Sequence, residues 1–228
     1  MNKKYLIGAL SAAALGYSVV PTYICKLRQR LHRSMGGRTL YLTFDDGPDP
    51  RYTPELLDLL AEYNIKASFF VVAQSAQRNP AIIARMKREG HAICLHSLCH
   101  KNGMLQPPVS AWRDFEQAVT TMQKLGVPVR YFRPPWGHWN VISLTQLHRY
   151  GMTPVLWDVM AQDWRGDLSV KTIEERLLRR TTGGDIICLH DGRGENGAPA
   201  RTIAALRRTL PRWISEGYRF ETVMHDET

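Results

Sequence analysis

Cysteine is scarce in this chain of 228 residues, and its four cysteines are not spaced as a disulfide framework. Cys94 and Cys188 lie within apolar, strand-like runs, so we interpret them as small buried hydrophobic residues. The sequence also lacks internal repeats, low-complexity segments and any Asp or Glu in its first 38 residues. Its 44% hydrophobic and 22% charged residues exclude collagen-like, disordered and multi-span membrane classes. A single domain is the expectation for this length.

Positive charge is concentrated near the N-terminus. Seven Lys and Arg residues precede residue 39, so the formal net charge of +9 leaves 23 basic and 21 acidic residues for the remainder. A protein that binds nucleic acid would carry its basic excess on a folded surface. We therefore expect no nucleic-acid partner.

An uncharged run of 21 residues extends from Tyr5 to Cys25. It is long enough to span a bilayer, although a cleaved signal peptide and a buried or interfacial helix are alternatives. We predict a signal anchor, a transmembrane segment over residues 1–25, then a basic linker over 26–37 and a folded domain over 38–228. More Lys and Arg follow the run than precede it, which favours a cytoplasmic domain.

Short apolar runs alternate with helical patterns after residue 38. The seven runs are residues 39–44, 66–72, 91–97, 129–134, 153–159, 185–190 and 218–223. Helices are expected to begin at Thr53 and Asn79, each followed by Pro, and to stop at Asn64 and Gly90. Runs that are apolar on both faces indicate a parallel sheet covered by helices. We predict an α/β fold, a distorted or incomplete (β/α) barrel of about seven strands, with an open doubly wound sheet as the alternative.

Polar residues without an evident structural role follow the carboxyl ends of these strands. They are Asp45, Asp46, His96, His100, Arg133, Asp163, Trp164 and His190. Catalytic groups converge at this edge of parallel β/α folds. The i,i+4 spacing of His96 and His100 predicts two imidazoles on one side of a helical turn. Together with one carboxylate they would form an open three-ligand metal site. Taken alone, the histidine spacing is also typical of a turn with two surface histidines, and the paired acids are at least as typical of a turn and helix cap.

Five motifs in this order resemble those of the polysaccharide deacetylases, the NodB-homology domain of carbohydrate esterase family 4. They are T-F-D-D-G-P (43–48), H-S-x-x-H (96–100), R-P-P-W-G (133–137), D-W (163–164) and L-H (189–190). The resemblance covers roughly residues 38–225. It implies a distorted barrel of NodB-homology type and the metal-dependent hydrolysis of an N-acetyl group from an N-acetylhexosamine.

The resemblance also implies a metal centre and a set of catalytic residues. One divalent metal ion, usually zinc in this family, would be held by Asp46, His96 and His100. Asp45 would be the general base and His190 the general acid, with Asp163 orienting His190 and Arg133 pairing with Asp45.

Three further residues would contact the substrate. The backbone N–H of Trp136 would donate to the oxyanion, and Trp164 and Leu189 would form the wall of a pocket for the acetyl methyl group. The sequence departs from the family at Met160, where an additional acid is common, and this leaves Asp158 without an assigned role.

The N-acetylated glycan implied by the resemblance is peptidoglycan or a chitooligosaccharide. An O-acetyl esterase acting on a polysaccharide, or a catalytically silent glycan-binding protein, are the alternatives. Because polymeric N-acetylated glycans are found outside the cytoplasm, we expect a single-pass protein of the cell membrane with an extracytoplasmic catalytic domain, against the bias of the flanking charges.

Overall fold

The strands form one parallel sheet in the computed structural model, which describes residue 5, residues 12–31 and residues 37–223. Within these residues there are eight strands: β1 (Thr39–Asp45), β2 (Ser68–Val71), β3 (Ala92–Leu95), β4 (Tyr131–Phe132), β5 (Thr153–Pro154), β6 (Val159–Met160), β7 (Ile186–His190) and β8 (Arg219–Phe220). Their order is β5-β4-β3-β2-β1-β7-β6, and β8 pairs with the start of β1. The barrel is therefore incomplete, as predicted, with β5 and β6 at its two edges.

Helices connect the strands. They are α1 (Val20–Leu31), α2 (Thr53–Glu62), α3 (Ala73–Arg78), α4 (Pro80–Arg88), α5 (Pro108–Lys124), α6 (Val141–Tyr150), α7 (Val170–Arg180) and α8 (Ala198–Ser215). The predicted stop signals are confirmed, because Asn64 and Gly90 both adopt positive φ after α2 and α4. The short helix α3 was not predicted, since six residues carry too little periodicity.

β1 lies in the middle of the sheet and carries much of the core. Leu40, Leu42 and Phe44 are fully buried, and Thr43 and Asp45 on the opposite face are also buried. Burying one such apolar side chain stabilises the fold by about 1.5–3 kcal/mol. Because both faces of β1 are covered, the chain that leaves its carboxyl end is held in a fixed position.

The predicted strand over residues 153–159 is wrong as a single element. Its first two residues form β5, which pairs with β4, whereas its last residue, Val159, begins β6 beside β7 at the opposite edge of the sheet. Between them, the carbonyl oxygens of Val155 and Leu156 accept hydrogen bonds from the buried Arg133 side chain. The segment therefore crosses the open side of the sheet.

The N-terminal segment contacts the folded domain through one face. Ser18, Pro21 and Thr22 are buried, and the Thr22 hydroxyl both donates to the carbonyl oxygen and accepts from the N–H of Trp139. No helix within the described residues is long and apolar enough to cross a membrane, so the transmembrane prediction gains no support from them. Residues 1–4 and 6–11 of the predicted anchor lie outside the described residues.

Candidate active site

The strand register brings the motifs together at one edge of the sheet. Asp45 at the end of β1 is paired with His190 at the end of β7. On the other side, the residues that precede His96 and Arg133 are paired between β3 and β4. The motifs converge because these parallel strands end at the same edge.

Asp46, His96 and His100 form a compact cluster. Their ligand atoms all lie within 4.8 Å of one another. Asp46 Oδ1 lies 2.9 Å from His100 Nε2 and 3.5 Å from His96 Nε2. The predicted helical turn is wrong, because Ser97 and His100 adopt positive φ and the His100 N–H donates to Ser97 Oγ in an irregular loop. This loop nevertheless turns both imidazoles toward Asp46.

The donor atoms of this cluster fit a divalent metal ion. His96 Nδ1 lies 2.7 Å from the carbonyl oxygen of Arg133, and because a carbonyl can only accept, Nδ1 carries the proton and Nε2 presents its lone pair. His100 Nδ1 is buried without a hydrogen-bond partner, and the buried Asp46 Oδ1 faces only the two imidazole nitrogens among the described residues. Burial opposes ionisation of Asp46, yet the close approach of His100 and His96 lowers its pKa to about 2. Two imidazoles and one carboxylate are typical of an open zinc site. A ligand imidazole that is fixed through its second nitrogen, as His96 is, is typical of such sites too.

Arg133 forms a buried ion pair with Asp45. Its Nη1 donates to Asp45 Oδ1 at 2.6 Å and to Thr43 Oγ1 at 2.8 Å. Its remaining donors bind the carbonyl oxygens of Val155 and Leu156, at 3.3 and 2.9 Å. The guanidinium is fully buried and is not part of the cavity lining, whereas Asp45 faces the cavity. Arg133 therefore positions the carboxylate, and Asp45 is the group that can reach a substrate.

His190 and Asp163 form a second pair. His190 Nδ1 lies 2.9 Å from Asp163 Oδ1, and the backbone N–H of His190 donates to Asp163 Oδ2. The Thr202 hydroxyl also donates to Asp163 Oδ2, at 2.8 Å. Burial opposes protonation of His190, but Asp163 raises its pKa to about 9. With Nδ1 held by Asp163, Nε2 is the nitrogen that can exchange a proton with a ligand in the cavity.

These groups surround a cavity of about 530 Å³. It is lined by Asp45, Asp46, His96, His100, Trp136, His138, Trp157, Met160, Trp164, His190, Arg193, Gly194 and Glu195. The metal-ligand candidates, the base candidate and the acid candidate therefore face one space. A single ligand bound there could contact all three.

Two of the three predicted substrate contacts line this cavity. Trp136 has a positive φ of 56° and a half-exposed indole, whose ring lies 4.3 Å from the His100 ring. The Trp164 ring packs edge-on against His190. Leu189 is a correction: it is fully buried in the hydrophobic core and does not line the cavity. The alternation of side chains along β7 points Leu189 away from the direction of His190.

The structure adds residues that the motifs did not single out. Asp191 directly follows His190, is buried, and accepts from the Thr53 hydroxyl at 2.7 Å. Burial raises the pKa of Asp191 to about 7. Its carboxylate lies against Gly47, where a Cβ would come within 2.2 Å of Asp191 Oδ2. A glycine is therefore required beside the Asp45–Asp46 pair, and the G-P of the first motif was the signal for this close approach.

The comparisons with known proteins agree with this geometry. The family model described as polysaccharide deacetylase matches residues 32–155. A peptidoglycan-N-acetylglucosamine deacetylase of Bacillus cereus is 34% identical over 188 residues, which cover 82% of this chain and 86% of the relative. The chain belongs to the polysaccharide deacetylase family. The resemblance of its five motifs is thereby confirmed.

Further relatives of this polysaccharide deacetylase support the same assignment. A chitooligosaccharide deacetylase of Sinorhizobium fredii is 35% identical, over 80% of this chain and 89% of the relative. The structure of the peptidoglycan deacetylase PdaC from Bacillus subtilis matches with a TM-score of 0.73 and 30% identity, covering 82% of this chain and 88% of the other. The incomplete parallel barrel is shared with this solved structure.

Proposed function

We propose that this polysaccharide deacetylase is a metal-dependent hydrolase that removes N-acetyl groups from N-acetylglucosamine residues. Peptidoglycan is the substrate that we propose in preference to chitooligosaccharides. One observation carries the proposal: a three-ligand metal cluster, a carboxylate held by a buried arginine and a histidine held by a buried aspartate all face one cavity. The relatives named as peptidoglycan and chitooligosaccharide deacetylases support both the reaction and the substrate class.

Asp46, His96 and His100 would hold the ion, and we propose zinc because this donor set suits it. When bound, such an ion polarises an amide carbonyl and lowers the pKa of water in the site. Arg133 Nη1 fixes Asp45 through Oδ1, and Oδ2 accepts only a weak thiol hydrogen bond from Cys188 at 3.4 Å, so the carboxylate can accept a proton from the attacking water. The Trp136 backbone N–H is the proposed donor to the carbonyl oxygen as it gains charge.

Cleavage of an amide needs a proton on the departing nitrogen. His190 can supply it from Nε2, because Asp163 holds Nδ1 and favours the cationic ring. Asp163 is itself kept in place by Thr202 and by the backbone N–H of His190. After the C–N bond breaks, the products are acetate and a glucosamine amine that carries the proton.

Acetate release from a panel of glycans tests the proposal. We expect the zinc-loaded protein to release acetate from peptidoglycan and from N-acetylglucosamine oligomers, and a chelator to abolish the release. Asp45→Asn should keep one ion per chain and lose turnover, because an amide cannot accept the proton. Release from O-acetylated polymers alone would favour an O-acetyl esterase, and release from none of them would favour a silent glycan-binding protein.

We also propose that the catalytic domain works outside the cytoplasm, where peptidoglycan is found. The variant Gly36→Cys, in a chain with Cys25 and Cys99 replaced by serine so that only the buried Cys94 and Cys188 remain beside it, would report the location of the domain in intact cells. We expect labelling by a membrane-impermeant maleimide before lysis. Labelling only after lysis would place the domain inside and shift the substrate to a cytoplasmic sugar precursor.

A further inference from the structure

A second depression adjoins the active-site cavity. We call it the α1 groove: it is lined by Lys26, Gln29 and Arg30 of α1, by residues 156–160 and by Arg180 of α7, and its volume is about 650 Å³. Trp157 and Met160 line both the groove and the active-site cavity. The two spaces are therefore neighbours that share these side chains, and a glycan whose acetamide occupies the cavity would reach the groove across them.

The α1 groove is positively charged. It contains three cations and one acid, Asp158. Both oxygens of Asp158 are already engaged, one near Gln29 Nε2 at 3.5 Å and the other accepting from the N–H of Ile186 at 3.0 Å. Among the described residues, Arg180 donates to the carbonyl oxygen of Met160 and to no carboxylate, so the guanidinium is held in place without being neutralised. The groove therefore has cationic donors for an anionic ligand and no free carboxylate.

Lys26 lies closest to the active site. A Cβ at Gly137 would be 3.5 Å from Lys26 Cε and 3.0 Å from the Trp157 ring, so both side chains lie against Gly137 of the R-P-P-W-G loop. Within the described residues it has no ion-pair partner. Its side chain is half-buried, and burial lowers its pKa. A half-buried, unpaired ammonium gains more from a carboxylate than an exposed one does, because water screens it less.

We propose that the α1 groove binds a carboxylate of the glycan, on the sugar or peptide next to the acetamide that is hydrolysed, with Lys26 as the main contact. The inference rests on the proposed function and narrows it. Peptidoglycan carries carboxylates on its stem peptides, or on its lactyl ethers where no peptide is attached, whereas chitooligosaccharides carry none. Lys26 and Arg180 thus favour an anionic glycan over a neutral one.

The test compares two substrates with the zinc-loaded full chain. One is the neutral N-acetylglucosamine tetramer, and the other is a peptidoglycan tetrasaccharide with free lactyl carboxylates. We expect Lys26→Gln to lower kcat/KM for the anionic substrate about 5-fold, by raising KM. For the neutral substrate, kcat/KM should change less than about 2-fold. Arg180→Gln should act in the same direction. Added salt should reduce the preference of the unmutated chain for the anionic substrate.

Arg28→Gln is the matched control, because it removes the same charge from the same helix outside the α1 groove. It should leave kcat/KM for both substrates unchanged. An equal loss on both substrates for Lys26→Gln, or an equal effect of Arg28→Gln, would overturn the inference and leave the proposed function standing. If the unmutated chain released acetate from neither substrate, the proposed function would fail and the inference with it.

Discussion

Arg133 connects the base candidate and the metal cluster through two different atoms. Its Nη1 donates to Asp45 Oδ1 at 2.6 Å, and its carbonyl oxygen accepts from His96 Nδ1 at 2.7 Å. The side chain is fully buried with its guanidinium stacked 4.0 Å from the Phe70 ring. One residue therefore sets the position of a carboxylate at the end of β1 and the proton of an imidazole that follows β3.

Replacing Arg133 by Met should strongly destabilise the fold. The change leaves the buried Asp45 carboxylate without its cation, and breaking such a pair typically costs about 3–5 kcal/mol. The double variant with Asp45→Asn should lose less than the two single losses added together. Urea unfolding of the four proteins measures this coupling, and strict additivity would mean that the pair contributes no interaction energy.

Replacing His96 or His100 by Ala should remove metal and activity together. Each change leaves only two protein ligands, which hold zinc far more weakly than three. The measurement is metal content after gel filtration, alongside acetate release. His148→Ala is the control, because this exposed histidine lies on α6 away from the cavity, and it should change neither. One ion per chain retained by the double variant would show that the ligands are assigned wrongly.

Replacing His190 by Ala should lower kcat by about 10²- to 10⁴-fold while metal binding persists. Asp163→Asn should act differently: it removes the carboxylate that raises the pKa of His190 to about 9, so the alkaline limb of kcat/KM should move toward lower pH. His138→Ala is the matched control, a cavity histidine with no proposed proton transfer. If His190→Ala kept full turnover, another group would supply the proton.

His91 should make stability depend on pH far from the active site. Burial lowers its pKa to about 4 from the ordinary 6.5, and its Nδ1 accepts from the N–H of Ala67. The unfolded chain therefore binds more protons between these two values, so the free energy of unfolding should be full above pH 6.5 and fall as pH drops toward 4. His91→Asn should flatten this slope, whereas His148→Asn should not. Equal slopes in all three proteins would contradict the assignment.

The positions of the site residues could be predicted from the sequence because parallel strands end at one edge. Asp45, His96, Arg133 and His190 each follow an apolar run, and the strand register places three of them around one cavity with the buried Arg133 against Asp45. The motif residues are recognised from their neighbours in the sequence alone. No long-range contact has to be known to place them.

The elements that the sequence did not predict depend on contacts between distant residues. Val155 and Leu156 leave the sheet because Arg133, more than 20 residues earlier, binds their carbonyl oxygens. Thr22 contacts Trp139, 117 positions away, so the packing of the N-terminal helix leaves no local pattern. Asp191 could have been singled out from the sequence, because it is an acid that directly follows the L-H motif. An acid buried at this position needs a hydrogen-bond partner, and in the structure that partner is Thr53.

β1 is hydrogen-bonded along both sides, to β2 and β7, and to β8 near its start. Amide protons in a strand of this kind exchange with solvent mainly through global opening of the domain. Asp45 ends this strand and Asp46 follows it. The backbone that carries Asp45 is therefore anchored with the core, and we expect thermal inactivation to coincide with loss of the whole fold.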